Sequence, residues 1–197
     1  MNQIDFFNKN IFFTTRQYAL SLGIPIATAS RQLKKLDGSN SIQSVTRGIW
    51  AQMNHPFYSP YGAVPYILGN EQGYVSFLTA LHRHDVISQI PKVIQIATTG
   101  HGRKLFNKLG EFELFHIQPS LMQNGVNVHE GKLVYNMATA EKSLIDTLYI
   151  STRKGNRFSK FPELNWDAID KKKLKQMISH LKPNIQKLIN KKLKLNF

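Results

Sequence analysis

The feature that most constrains this chain is a pair of helical periodicities set back to back across a short turn. It lies in the stretch Thr14–Trp50, TTRQYALSLGIPIATASRQLKKLDGSNSIQSVTRGIW. Thr14 and Thr15 are good helix caps, because a hydroxyl can accept from the free amides of a first turn. The helix that follows carries Tyr18, Ala19 and Leu22 inward and ends at Gly23, the residue most tolerant of a left-handed cap. Ile24-Pro25 makes the turn, and Pro25 suits a helix entrance, where its missing N–H is not needed. In the second helix Ile26, Ala29, Leu33 and Leu36 recur at spacings of three and four, which predicts one buried face. At about 100° per residue, Ala27, Arg31 and Lys34 point the opposite way. Thr28 and Lys35 flank them on one side and Ser30 on the other. Gly38 is expected to end this helix. Ser41–Thr46 and Gly48–Gln52 then read as two short strands around Arg47-Gly48, a hairpin with a basic tip.

Helix, turn, helix and hairpin in this order read as a winged helix-turn-helix spanning 1–52, with Ile4, Phe7 and Ile11 forming the stripe of a supporting first helix. Small residues at the start of the second helix, followed by cations, suit a recognition helix whose early residues meet base edges and whose cations meet phosphates. The candidate DNA-contacting residues are therefore Thr28, Ser30, Arg31, Lys34, Lys35 and Arg47. The plainer alternative is an amphipathic helical pair with a solvated basic face.

Beyond the hairpin, 53–73 contains Pro56, Pro60, Pro65, Gly62, Gly69 and Gly73 among aromatics, the texture of a linker or an irregular docking segment. Phe57, Tyr58, Tyr61 and Tyr66 would pack it down. A second domain is expected over 74–197. Tyr74, Phe77, Leu78 and Leu81 predict a helix over Tyr74–His84, and Lys92–Thr98 a strand. Glu111–Gln118 reads as a strand with Phe112, Leu114 and His116 on one face. Val126–His129 and Lys132–Asn136 flank Glu130-Gly131 as a hairpin, and Thr139–Ile150 forms a helix with Leu144, Ile145 and Leu148 inward. From Asp167 to Phe197 the chain is helical and lysine-rich. Leu174, Met177, Ile178 and Leu181 form one stripe, and Ile185, Leu188 and Ile189 form another after Pro183. The expected class is α+β: a winged helix-turn-helix, a mixed α/β domain and a basic helical C-terminal tail.

Charge and composition narrow the partners. With 26 Lys and Arg against 12 Asp and Glu, the 197-residue chain has a formal net charge of +14, which favours a polyanionic partner. The absence of cysteine excludes disulfides, thiolate zinc sites and cysteine nucleophiles. The start, MNQIDFFNKN, lacks a secretory signal pattern, and no apolar run approaches the ~18 residues needed to span a bilayer. The expected address is the cytoplasm, with no membrane partner.

Few constellations suggest catalysis. In His82-Arg83-His84-Asp85 the two imidazoles lie two residues apart, so on a helix they point away from each other and cannot readily chelate one ion. Thr98–Lys104, TTGHGRK, is either a backbone nest for phosphate or a basic loop between strands. Glu111 and Glu113 with Lys104 and Lys108 have the residue types of a metal-dependent nuclease, but that chemistry needs carboxylates converging on one cation. Tyr149, Asp146 and the seven histidines show no nucleophile, base and orienter pattern. No catalytic residue, metal or cofactor is expected. The lysine-rich tail reads equally as a second electrostatic contact to DNA or as a solvated helix face.

Three parts of the chain together resemble a known family. ALSLGI, ASRQLKKL and VTRGIW, followed by GYVSFLTALHRHDVISQIPKVIQIATT, resemble the AbiEi antitoxins of bacterial abortive-infection, type IV toxin–antitoxin systems, and NMATAEKSLIDTLY is similar to a later helix of that family. The likeness runs from about Phe13 to Tyr149. Asp85 stands where the family commonly has glycine, and Ala140 where proline often opens the later helix. The resemblance implies a winged-helix domain that represses its own operon by binding inverted repeats in double-stranded promoter DNA. It also implies a second domain that counteracts a nucleotidyltransferase-like toxin encoded alongside, without necessarily forming a stable complex. By position, DNA contact would fall to Thr28, Arg31, Lys34, Lys35 and Arg47; antitoxicity is assigned to no particular residue. Two other readings stand beside it: a winged-helix regulator without a toxin partner, and a nucleic-acid-processing enzyme using the second domain.

Overall fold

The structure is a computed structural model that describes residues 1–37, 41–129, 131–153, 158 and 161–196. The chain is α+β and divides into two units. Unit 1 comprises Met1–Gly69, Phe106–Glu111 and His129–Tyr135; unit 2 comprises Asn70–Leu105, Phe112–Val128 and Asn136–Phe197.

In unit 1, helix α1 (Gln3–Lys9) starts at Asn2, whose Oδ1 accepts from the Asp5 N–H at 2.8 Å. Helix α2 (Thr15–Leu22) opens on a reciprocal cap. The Gln17 N–H donates to Thr14 Oγ1 (3.1 Å), and the Thr14 N–H donates to Gln17 Oε1 (2.7 Å). It ends at Gly23, left-handed at φ 67°, whose following residue donates to Ala19 O. Helix α3 (Ile26–Leu36) follows after the three residues Gly23, Ile24 and Pro25. Strands β1 (Phe12–Thr14), β2 (Ile42–Thr46) and β3 (Ile49–Gln52) make an antiparallel sheet in the order β1-β3-β2. The core joins both layers through Phe6, Phe13, Tyr18, Ala29, Leu33 and Trp50. Edge-to-face contacts set Phe6 against Phe13 (5.0 Å) and Tyr18 (5.3 Å), each pair adding about 0.5–1.5 kcal/mol beyond its buried area.

Several expectations for this unit need correction. On α1 the buried residue is Phe6, whereas Ile4 is 71% exposed and Ile11 lies beyond the helix, because the aromatic cluster captures Phe6. Ile26 keeps the period of Ala29 and Leu33 but is 56% exposed: it stands on the first residue of α3, past the end of the core. Gly38 lies outside the described residues. The segment 53–69 holds a 3-10 turn at Pro60–Ala63 and helix α4 (Val64–Leu68). Pro60 and Pro65 stand in first turns, where proline is tolerated, and Val64, Ile67 and Leu68 are buried. Tyr58 and Tyr66 lie against the Phe12 ring, while Phe57 stays exposed.

Unit 2 is built on a mixed sheet. Its strands are β4 (Gly73–Val75), β5 (Ile94–Thr98), β6 (Arg103–Asn107), β7 (Gly110–His116), β8 (Val126–His129) and β9 (Tyr135–Ala138), in the order β6-β7-β5-β4-β9-β8. The tips 106–111 and 129–135 are assigned to unit 1. Strand β4 is antiparallel to β5 and parallel to β9, and β5 is parallel to β7. Tyr74, expected in a helix, is therefore a strand residue paired with Ala97, and helix α5 starts only at Phe77 and runs to Arg83. The ladder to β5 overrides the local helical spacing. On β7, Glu113 and Phe115 are buried along with Phe112 and Leu114, as in a strand covered on both faces. His116, expected inward, is exposed at the strand end with its Nδ1 2.9 Å from Gly100 O. Asp85, where the resemblance expects glycine, has φ 57°, a left-handed conformation that aspartate tolerates better than most side chains.

Helix α6 (Ala140–Ser151) is buried along its whole length. It carries two charges inside: Lys142, 2% exposed, donates to Asp146 Oδ1 one turn later, and Asp146 is fully buried. Ser76 Oγ (2.8 Å) and Tyr74 OH (3.1 Å) donate to Asp146 Oδ2, and the Lys142 ammonium stands 5.2 Å from the Tyr74 ring centroid. Burial pushes the Asp146 carboxyl above its usual value, opposed by the Lys142 ammonium and the two hydroxyls. Burial and the adjacent carboxylate likewise raise the Tyr74 phenol.

Helices α7 (Lys171–Ser179) and α8 (Pro183–Asn196) pack on α6. Asp170 caps α7 by accepting from Lys172 and Lys173 N–H. Glu141 accepts from Thr139 Oγ1 (2.8 Å), from the Asp170 N–H (3.2 Å) and from Lys173 Nζ (3.1 Å). Its burial would raise the carboxyl pKa, but the hydrogen bonds outweigh that and leave it lowered. The buried stripe of these helices is narrower than expected: Leu174, Ile178, Ile185 and Ile189 are inside, and Leu188 is 43% exposed.

Lys142→Met should destabilise the protein by about 3–5 kcal/mol in urea unfolding, because Asp146 is left as an uncompensated buried charge. Lys142→Met/Asp146→Asn should regain most of that loss. A double variant as unstable as the single would show that the pair is not what balances Asp146.

Candidate nucleic-acid interface

Helix α3 separates its chemistry by face. Ala29 and Leu33 are fully buried in the core, whereas Arg31, Lys34 and Lys35 are exposed and Thr28 and Ser30 half-buried. A helix with this period places Ile26, Ser30 and Lys34 on one row and Ala27, Arg31 and Lys35 on the next. Each row runs from a small or apolar residue at the N-terminal end to a cation at the C-terminal end. Pro25, the N-cap, offers no side-chain acceptor to the first amides of α3.

Three hydrogen bonds hold the surrounding elements to this helix and to each other. The Tyr18 hydroxyl lies 3.1 Å from Gln32 Oε1, joining α2 to α3. Trp50 Nε1 donates to Thr15 Oγ1 at 2.9 Å, and the Thr15 N–H donates to Gly48 O at 2.9 Å, tying the β2–β3 turn to the first residue of α2. Arg47 is exposed on that turn. The structure thus brings Thr28, Ser30, Arg31, Lys34 and Lys35 together on one helix and carries Arg47 on a separate element. Within 1–69 the carboxylates are Asp5 and Asp37 alone, against Lys9, Arg16, Arg31, Lys34, Lys35 and Arg47, so no acid interrupts the charge between α1 and the end of α3. Exposed Arg16 is not among the sequence-derived candidates, Ile26 is expected on the buried face and is exposed, and Thr15, expected as a cap, also positions the hairpin. Only the Arg16 charge had a local signal.

The other clusters do not assemble into reaction centres. His82 Nδ1 lies against Ile87 O and His84 Nε2 against Ala138 O, so each ring meets a different backbone carbonyl. Among the described residues no group of three or more His, Cys, Asp or Glu side chains could hold a metal. Glu113 is buried with Lys104 Nζ at 3.6 Å, whereas Glu111 is exposed. The Thr98–Lys104 turn is occupied by its own acid. Arg103 Nη1 donates to both Glu71 oxygens at 2.9 Å, and Thr98 Oγ1 donates at 2.8 Å. A Cβ on Gly100 would come within 2.1 Å of that carboxylate, so the glycine makes room for Glu71. Despite its partial burial, Glu71 is held below the usual carboxylate range by Arg103 and Thr98.

The sequence matches no family model and no curated protein. Among the described residues no helix is long and apolar enough to cross a membrane.

Thr15→Val removes the acceptor for a nearly buried indole N–H. It should lower stability by about 1–3 kcal/mol and speed amide exchange at the β2–β3 turn, read by hydrogen exchange. Unchanged exchange at β3 would mean that Thr15 does not anchor the hairpin.

Proposed function

We propose that 1–52 is a winged helix-turn-helix that docks α3 in the major groove of promoter DNA, with Arg47 on the wing reaching the adjacent backbone or minor groove. The observation that carries this reading is the exposed face of Arg31, Lys34 and Lys35, opposite buried Ala29 and Leu33, in a stretch free of carboxylates. Such a surface supplies salt-sensitive affinity through counterion release, and residues near the start of α3 supply base contacts. Exposed Ile26 adds an apolar group to that start, suited to contact with a thymine methyl.

The fuller proposal is a non-enzymatic, cytoplasmic autorepressor that also serves as the antitoxin of a type IV pair, opposing a nucleotidyltransferase-like toxin. Its second half is supported by the resemblance of GYVSFLTALHRHDVISQIPKVIQIATT and NMATAEKSLIDTLY to the AbiEi antitoxins, and antitoxicity is proposed for unit 2 as a whole. Co-expression with a toxin of that class encoded alongside should restore growth, and Arg31→Ala should restore it equally. Loss of DNA binding without loss of rescue separates the two roles; no rescue by the unaltered chain leaves a regulator without a toxin partner.

On DNA, Arg31→Ala should weaken operator binding by about 1–3 kcal/mol and relax preference at one base pair. Lys35→Ala should weaken all duplexes similarly and reduce the salt slope by about one. If neither substitution changes binding in fluorescence anisotropy titrations, α3 is not the recognition helix.

A further inference from the structure

Helices α7 and α8 each lean on α6 and touch one another only sparsely, so a groove of about 620 Å³ opens between them. Gln186 Nε2 fixes the turn joining the helices by donating to Ser179 O (2.9 Å) and Leu181 O (2.7 Å). Trp166, Leu174, Ile178 and Leu193 give the groove apolar surface, and exposed Lys171 and Lys175, one helical turn apart, line it from α7. From Lys171 to Asn196 the chain has nine lysines and no aspartate or glutamate. Glu141 reaches over from α6 to Lys173 and not to Lys171 or Lys175.

We propose that this groove binds an amphipathic organic anion, with an apolar chain or ring against Trp166, Leu174, Ile178 and Leu193 and a carboxylate between Lys171 and Lys175. Three observations select that class. The volume falls within the roughly 300–1,000 Å³ of small-molecule sites. Nucleic acid would use the lysines and leave the apolar wall unmatched. An acidic protein helix would need anchors over two turns or more, whereas Leu174 and Ile178 span one turn of α7. Desolvated contact with the apolar wall strengthens a carboxylate–lysine interaction that would be weak on an open surface. This inference concerns unit 2 alone and does not depend on DNA binding by unit 1.

Calorimetric titration of the full chain with decanoate, decanol and decyltrimethylammonium tests it. Decanoate should bind saturably at one site and roughly tenfold more tightly than decanol, a difference of about 1.4 kcal/mol. Lys171→Gln/Lys175→Gln should lose about the same factor. Asn190→Trp, which fills the groove from an exposed position on α8, should abolish binding with the circular dichroism spectrum unchanged. Lys34→Gln/Lys35→Gln removes equal charge from unit 1 and should change nothing. The proposal is overturned if decanoate does not saturate, if all three amphiphiles bind alike, or if the two double variants weaken binding equally. It is also overturned if only a Leu/Glu amphipathic peptide, and not decanoate, competes for the groove.

Discussion

The buried ion pair on α6 is the constraint around which unit 2 is arranged. Moving a carboxylate and an ammonium out of water is unfavourable by several kcal/mol per ion, and their attraction offsets this only with good geometry and further hydrogen bonds. Lys142 and Asp146 meet one turn apart, and β4 with the residue that follows it completes the arrangement: Tyr74 and Ser76 both donate to Asp146 Oδ2. A one-residue slip of β4 would turn these side chains to the other face and leave the second carboxylate oxygen unpaired. The pair thus fixes how the helix sits on the centre of the sheet. Glu141, the neighbour of Lys142, extends the same logic outward by accepting from the start of α7.

Among its described residues, unit 1 buries no charged side chain. Its order comes from an aromatic cluster and from short polar ties between successive elements: the Thr14–Gln17 cap, the Tyr18–Gln32 contact and the Trp50–Thr15 bond. These ties sit behind α3 and at the base of the β2–β3 turn, so they hold the backbone that carries Arg31, Lys34, Lys35 and Arg47 while leaving those side chains in water. A surface that must meet a charged partner is better served by rigid support beneath solvated cations than by cations committed to internal ion pairs.

What could be read from the sequence follows from how local each signal is. The start of α2, its end at Gly23, the exposed phase of Arg31, Lys34 and Lys35 and the β2–β3 hairpin all rest on spacings and caps within a few residues. The chain determines them almost without tertiary help. Tyr74 fails the same reading because its strand exists only through pairing with β5 and β9, far along the chain. Ile26 fails because periodicity gives direction on a helix and not how far the core extends along it. Lys142 and Asp146 have the spacing of a surface ion pair, and only the elements packed around α6 turn them into a buried one. Among features of the candidate interface, the support from Thr15 depends on an indole 35 residues away, which no local pattern reports.

The proposed sequence-specific recognition of DNA by unit 1 is tested most directly by a salt titration of binding to the DNA upstream of this chain's own gene, beside a scrambled duplex of equal length. A recognition helix at α3 predicts a preference for the upstream DNA of tenfold or more (roughly 1.4 kcal/mol) at moderate salt, with the logarithm of affinity falling linearly with the logarithm of salt concentration. Equal, weak binding to both duplexes at every salt concentration would contradict it, leaving a basic surface without a reading helix.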